Sequence, residues 1–116
     1  MTLGILEGDP EALVACDAHQ PYCGHKTGHW LGLDVHDVGD YQVNEEWRVF
    51  EEGMVTTTEP GLYFGADQAE VPPEYRGIGI RIEDDVLVTR GGPDVLTAGV
   101  PKQVEEIEER MRGVNG

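Results

Sequence analysis

A chain of 116 residues, 39% hydrophobic and 27% charged, has ordinary globular composition and fits one domain, or part of one. Its net charge of -15, from 23 acidic against 8 basic residues, excludes a nucleic-acid backbone as partner, because such partners demand clustered Lys and Arg. No run approaches the roughly eighteen apolar residues that cross a bilayer, and no basic region precedes an apolar one at the N-terminus. The expectation is a cytoplasmic protein with no membrane contact.

Asp9-Pro10-Glu11 reads as a helix start: Asp9 caps, Pro10 sits where a missing N–H costs nothing, and an acid follows in the first turn. The helix is predicted to run to about Ala18, with Leu13, Val14 and Cys16 facing inward, until Gln20-Pro21 stops it. Cys16 and Cys23 are seven apart, which fits neither a CxxC pair nor a zinc knuckle, so they read as reduced packing residues. Gly28-His29-Trp30-Leu31-Gly32-Leu33-Asp34-Val35-His36-Asp37-Val38-Gly39 then gathers two imidazoles and two carboxylates among glycines that let backbone approach a metal or substrate closely. Taken alone, His29 and His36 read equally as hydrogen-bonded packing residues of a tight loop.

Asp40 to Glu52 is acidic, shows neither periodicity, and is predicted to be a surface excursion. Met54 to Thr58 is a β-branched strand whose alternation puts Val55, Thr57 and Glu59 on one face, and Pro60 holds Glu59 extended so that its carboxylate projects in a fixed direction. Leu62-Tyr63-Phe64 forms a second strand, and an acidic, proline-containing loop follows. Ile78, Ile80 and Ile82 alternate with Gly79, Arg81 and Glu83, so one face should pack while the other lines a cavity and sets Arg81 beside Glu83. Val86-Leu87-Val88 is a further strand and Arg90-Gly91-Gly92-Pro93 a turn. A helix from near Gln103 carries Val104, Ile107 and Met111 on its packing face, closed by Gly113 as cap. The fold class is α+β, short antiparallel strands covered by helices on one side.

Three segments in this order, His-Trp-Leu-Gly-Leu-Asp-Val-His-Asp-Val-Gly from His29, Glu-Pro-Gly-Leu-Tyr from Glu59 and Tyr-Arg-Gly-Ile-Gly-Ile-Arg-Ile-Glu-Asp-Asp from Tyr75, carry a resemblance. The chain resembles the aminopeptidase P and prolidase group of metallopeptidases, which share the creatinase-like pita-bread fold. The likeness runs from about Leu3 to the last helix. It implies two divalent cations, with manganese favoured by oxygen-rich ligation and cobalt or zinc as substitutes. His29 and Glu59 match ligands of one metal, and Glu83 matches the carboxylate that bridges both. His36 matches the histidine that hydrogen-bonds substrate, His25 one near the pocket for the proline side of the bond, and Arg81 the supporting arginine. Trp30 and the run from Glu74 to Arg81 look more like aminopeptidase P than prolidase. The implied activity is release of an N-terminal residue whose bond runs to proline, a tertiary amide without an N–H that a dedicated enzyme must read.

The chain also departs from that pattern. The family draws two further aspartates from an upstream hairpin, whereas only Asp9 and Asp17 precede His29, both in or beside the predicted first helix. The 116 residues are therefore expected to be the C-terminal part of a catalytic domain, inactive alone and partnered by a missing N-terminal half or a second copy. The alternatives are a non-catalytic binding module on the same scaffold and an X-Pro dipeptidase. Thr56 and Thr58 stand where larger apolar residues are usual, which should weaken strand packing.

Overall fold

A computed structural model describes residues 3–113. In chain order it contains helix α1 (Pro10–Ala15), strands β1 (Gln42–Val43), β2 (Glu46–Trp47), β3 (Val55–Thr58), β4 (Gly61–Tyr63), β5 (Gly79–Arg81), β6 (Asp84–Thr89) and β7 (Gly92–Val95), and helix α2 (Val104–Gly113). Single 3-10 turns occupy Gln20–Tyr22 and Pro73–Tyr75. All strand pairs are antiparallel. No helix among the described residues is long and apolar enough to cross a membrane.

The chain divides into two compact units. The first comprises residues 1–27 and 59–81, the second residues 28–58 and 82–116. In the first unit, β4 pairs with β5 through Gly61↔Arg81, Leu62↔Ile80 and Tyr63↔Gly79. Its buried apolar residues are Tyr22, Phe64 and Val71, with Ile5 and Tyr75 packed against them. The Tyr22 and Phe64 rings meet edge-on at 5.8 Å, an arrangement the ring quadrupoles favour. Arg76 fastens the preceding loop by donating to the carbonyls of Val71 and Ala69 at 2.8 and 2.9 Å. Asp9 caps α1 as expected, its Oδ2 accepting from the Ala12 N–H at 3.0 Å. The helix stops three residues before the predicted Ala18, since Asp17 adopts a left-handed φ of 57°. Val14 and Cys16 are exposed rather than inward, because one and a half turns of helix have no apolar stripe to bury. Cys16 and Cys23 are free thiols.

In the second unit, β3, β6 and β7 form one sheet in that order, with β6 central. The predicted surface excursion contains a hairpin: β1 and β2 are joined by Asn44 and Glu45, both at positive φ (54° and 67°), the combination that matches strand twist in a two-residue turn. The predicted turn at Arg90–Pro93 is shorter than expected, for Gly92 and Pro93 already belong to β7. Pro93 is tolerated there because β7 is an edge strand.

Two packing expectations are corrected. Ile78, Ile80 and Ile82 are 43%, 61% and 47% exposed, and α2 presents Val104, Ile107 and Met111 to solvent. The alternation and the helical spacing are real, but none of the described residues buries either face. Gly113 is the last helical residue of α2, not its cap.

Candidate metal centre

His29 is held through both its backbone and its ring. Its backbone joins the segment before β1 to β3: Thr57 N donates to His29 O at 2.9 Å, Leu31 N to Val55 O at 3.1 Å, and Trp30 bridges to Thr56. The Thr57 hydroxyl accepts from His29 N and the Thr56 hydroxyl donates to His29 O, both at 3.0 Å. Thr56, the departure expected to weaken packing, thus secures the histidine. The ring is oriented as well. Nδ1 lies 2.9 Å from the Trp30 carbonyl, which only accepts, so Nδ1 carries a proton, and in the neutral ring Nε2 is the nitrogen with the lone pair. A backbone carbonyl on the far nitrogen is the usual arrangement of a metal-binding histidine.

Trp30 continues the support. Its indole stacks on Tyr41 with centroids 5.5 Å apart and planes 9° apart, Phe50 meets it edge-on at 6.0 Å, and the Arg48 guanidinium lies 5.9 Å from the ring centroid. Asp37 closes the loop that follows, its carboxylate accepting from Leu33 N at 3.1 Å and Val38 N at 2.9 Å. That carboxylate serves the backbone of the loop. The loop sets the exposed His36 ring against His29 at 4.3 Å and 72°.

Glu83 stands immediately before β6 and is exposed. Among the described residues it and His29, both in the second unit, offer ligand atoms within 4.8 Å of each other. Glu59, in the first unit, is 8% exposed. Its N–H donates to Thr27 O at 2.9 Å, and Arg81 Nε lies 3.8 Å from its Oε2. The β4–β5 register, which sets Arg81 opposite Gly61, makes this pairing. The last pair of the β3–β6 ladder is Thr58↔Asp84, so Glu83 is one peptide bond beyond it.

His25 donates from Nδ1 to the Lys26 carbonyl at 2.7 Å, and in the neutral ring Nε2 then accepts from the Tyr63 hydroxyl at 2.7 Å. Tyr63 was not singled out from the sequence, although it ends the Glu-Pro-Gly-Leu-Tyr motif.

The Asp84 carboxyl is held below its ordinary value, first by the hydrogen bond from Lys102 and next by that from Thr97, with partial burial opposing. A carboxyl lowered in the folded state stabilises fully above its ordinary pKa of about 3.9, and that contribution disappears as pH falls through the lowered value. The parent is therefore expected to melt higher than Asp84→Asn at neutral pH, by a margin that shrinks below about pH 4. Melting curves across that range check it, and a margin indifferent to acid contradicts it.

The sequence profile described as Metallopeptidase family M24 matches residues 7–90. The Xaa-Pro aminopeptidase of Escherichia coli (strain K12) is 58% identical over 109 residues, which are 94% of this chain and 24% of that protein. The solved structure of Pseudomonas aeruginosa aminopeptidase PepP matches with a TM-score of 0.91 at 56% identity, over 97% of this chain and 26% of that one. A zinc-substituted E. coli aminopeptidase P in complex with product gives 0.85 at 57% identity, over 96% and 25%. The chain spans about a quarter of the length of these relatives. The expected fold class, α+β with antiparallel strands in the pita-bread group, is borne out by these likenesses.

Proposed function

Because the chain belongs to metallopeptidase family M24, we propose that it is the metal-binding C-terminal part of an aminopeptidase that releases the first residue of peptides with proline second. His29, Glu59 and Glu83 are the residues that would hold its metal. One observation carries this reading: His29, whose Nδ1 is held by the Trp30 carbonyl, has a ligand atom within 4.8 Å of one from Glu83. One imidazole among carboxylates is a donor set suited to manganese, and the zinc-substituted relative is in keeping with exchangeable metals.

When bound, a pair of such cations supplies Lewis acidity and lowers the pKa of a shared water. The side chains divide the remaining work. Arg81, 3.8 Å from Oε2, orients the Glu59 carboxylate, which would both help hold the metal and take up the proton of the attacking water. His36 donates a hydrogen bond to the substrate carbonyl oxygen as negative charge grows there. His25, braced by Tyr63, serves the proline side of the bond. The remaining ligands come from outside these 116 residues.

The test is release of the first residue from an X-Pro peptide. The 116-residue chain should show no turnover, and turnover should appear when the upstream polypeptide is supplied. Robust hydrolysis by the chain alone would sink the proposal that its ligand set is partial.

A further inference from the structure

We infer that Lys102 and Thr97 are positioning residues for Glu83, acting through Asp84; this rests on the metal-ligand reading of Glu83. Strand β7 pairs with β6 only from Val86 to Thr89, so Asp84 and Asp85 extend past it with a strand partner on the β3 side alone. A strand end held on one side frays. The segment after β7 takes over that missing role. Leu96 N donates to Asp85 O at 2.9 Å, the Thr97 hydroxyl accepts from Asp85 N at 3.1 Å, and the same hydroxyl donates to Asp84 Oδ1 at 2.6 Å.

Lys102 locks the arrangement. An ammonium has three N–H donors, and Lys102 Nζ has three acceptors around it: Asp84 Oδ1 at 2.8 Å and the carbonyls of Thr97 and Val100 at 3.1 Å each. The Lys102 and Asp84 side chains are 22% and 27% exposed, so these charge-assisted bonds are partly sheltered from water. Strand alternation puts the Asp84 side chain on the face opposite Glu83, and Thr58, its register partner, directly precedes Glu59. The knot therefore grips, from behind, the backbone from which Glu83 projects.

The experiment is a Mn2+ titration of the protein followed by electron paramagnetic resonance, paired with metal-free melting curves, for Lys102→Met, Thr97→Val, Thr97→Ser and Glu83→Gln. Lost support of a metal ligand typically weakens affinity by about 10–100-fold, so Lys102→Met and Thr97→Val should bind Mn2+ about tenfold more weakly. Thr97→Ser, which keeps the hydroxyl, should restore parental affinity. If Lys102→Met does not fold, Thr97→Val against Thr97→Ser decides alone. Parental affinity in folded Lys102→Met and Thr97→Val, with binding lost in Glu83→Gln, overturns this inference and spares the metal reading. Parental affinity in Glu83→Gln overturns the metal reading and this inference with it.

Discussion

Replacing Glu83 or Glu59 by glutamine is expected to weaken Mn2+ binding by more than a hundredfold while leaving the metal-free fold nearly as stable as before. The amide keeps the shape of the carboxylate but removes the charge, and a hard divalent cation draws its affinity from ionised oxygen. The loss should exceed the roughly 10–100-fold that follows damage to a ligand's supporting partners. The two stability costs differ in kind. Glu83 is exposed, so its substitution should hardly move the melting temperature. Glu59 is buried beside Arg81, but the Arg81 side chain is 49% exposed and water can replace the lost partner, so only a modest cost is expected. Calorimetric titration with Mn2+ alongside thermal melting separates the two effects. Equal Mn2+ affinity in parent and Glu83→Gln would remove the carboxylate from the ligand set.

The largest loss of stability is expected from Gly28→Ala. A Cβ on Gly28 would run into the Thr57 carbonyl oxygen, with the Thr56 hydroxyl 3.6 Å away. Neither neighbour can retreat cheaply. Thr57 N is bonded to His29 O, and the Thr56 hydroxyl donates to the same carbonyl, so making room means parting the segment that carries the histidine from β3. Overpacking of this kind costs about 1–3 kcal/mol, and each kcal/mol lowers melting by roughly 4 °C in a chain of this size. Mn2+ affinity should fall with it, since His29 must shift. Gly24→Ala is the control: a Cβ there meets nothing within 4 Å, so its melting temperature should stay level or rise slightly. Equal melting of the two variants would show that Gly28 is not a close approach.

What the sequence made legible was whatever depends on local chemistry. Asp9 before Pro10 named a cap because its carboxylate needs only the N–H three residues on. The β-branched run of β3 named a strand, and of the residues its alternation set on one face Thr57 and Glu59 are buried, while Thr58 between them is exposed. Less visible was what depends on partners distant in the chain. The expected strand from Ile78 to Glu83 set Arg81 beside Glu83, but β5 ends at Arg81, and nothing in that run reveals that Gly61 lies opposite Arg81, which brings the guanidinium to Glu59. The β1–β2 hairpin has two-residue strands, too short for any periodicity, and Asn44 was its one turn signal. Gly92-Pro93 reads as a turn until an edge position makes the missing N–H harmless. Apolar spacing in Ile78, Ile80 and Ile82 reports a face that favours cover, not whether these residues supply it.

Each site residue was likewise legible as a chemical type, and the supports that aim it were not. The Trp30 carbonyl on His29, the Thr56 and Thr57 hydroxyls around its backbone and Tyr63 on His25 all belong to residues whose types are common in structural roles. Only the folded backbone distinguishes them.

Anomalous diffraction at the manganese edge, from crystals grown with Mn2+, tests the shared ligation most directly. The account predicts a peak at bonding distance from Nε2 of His29 and from carboxylate oxygens of both Glu59 and Glu83. A manganese peak bound elsewhere, with those three side chains turned to separate surroundings, would contradict it.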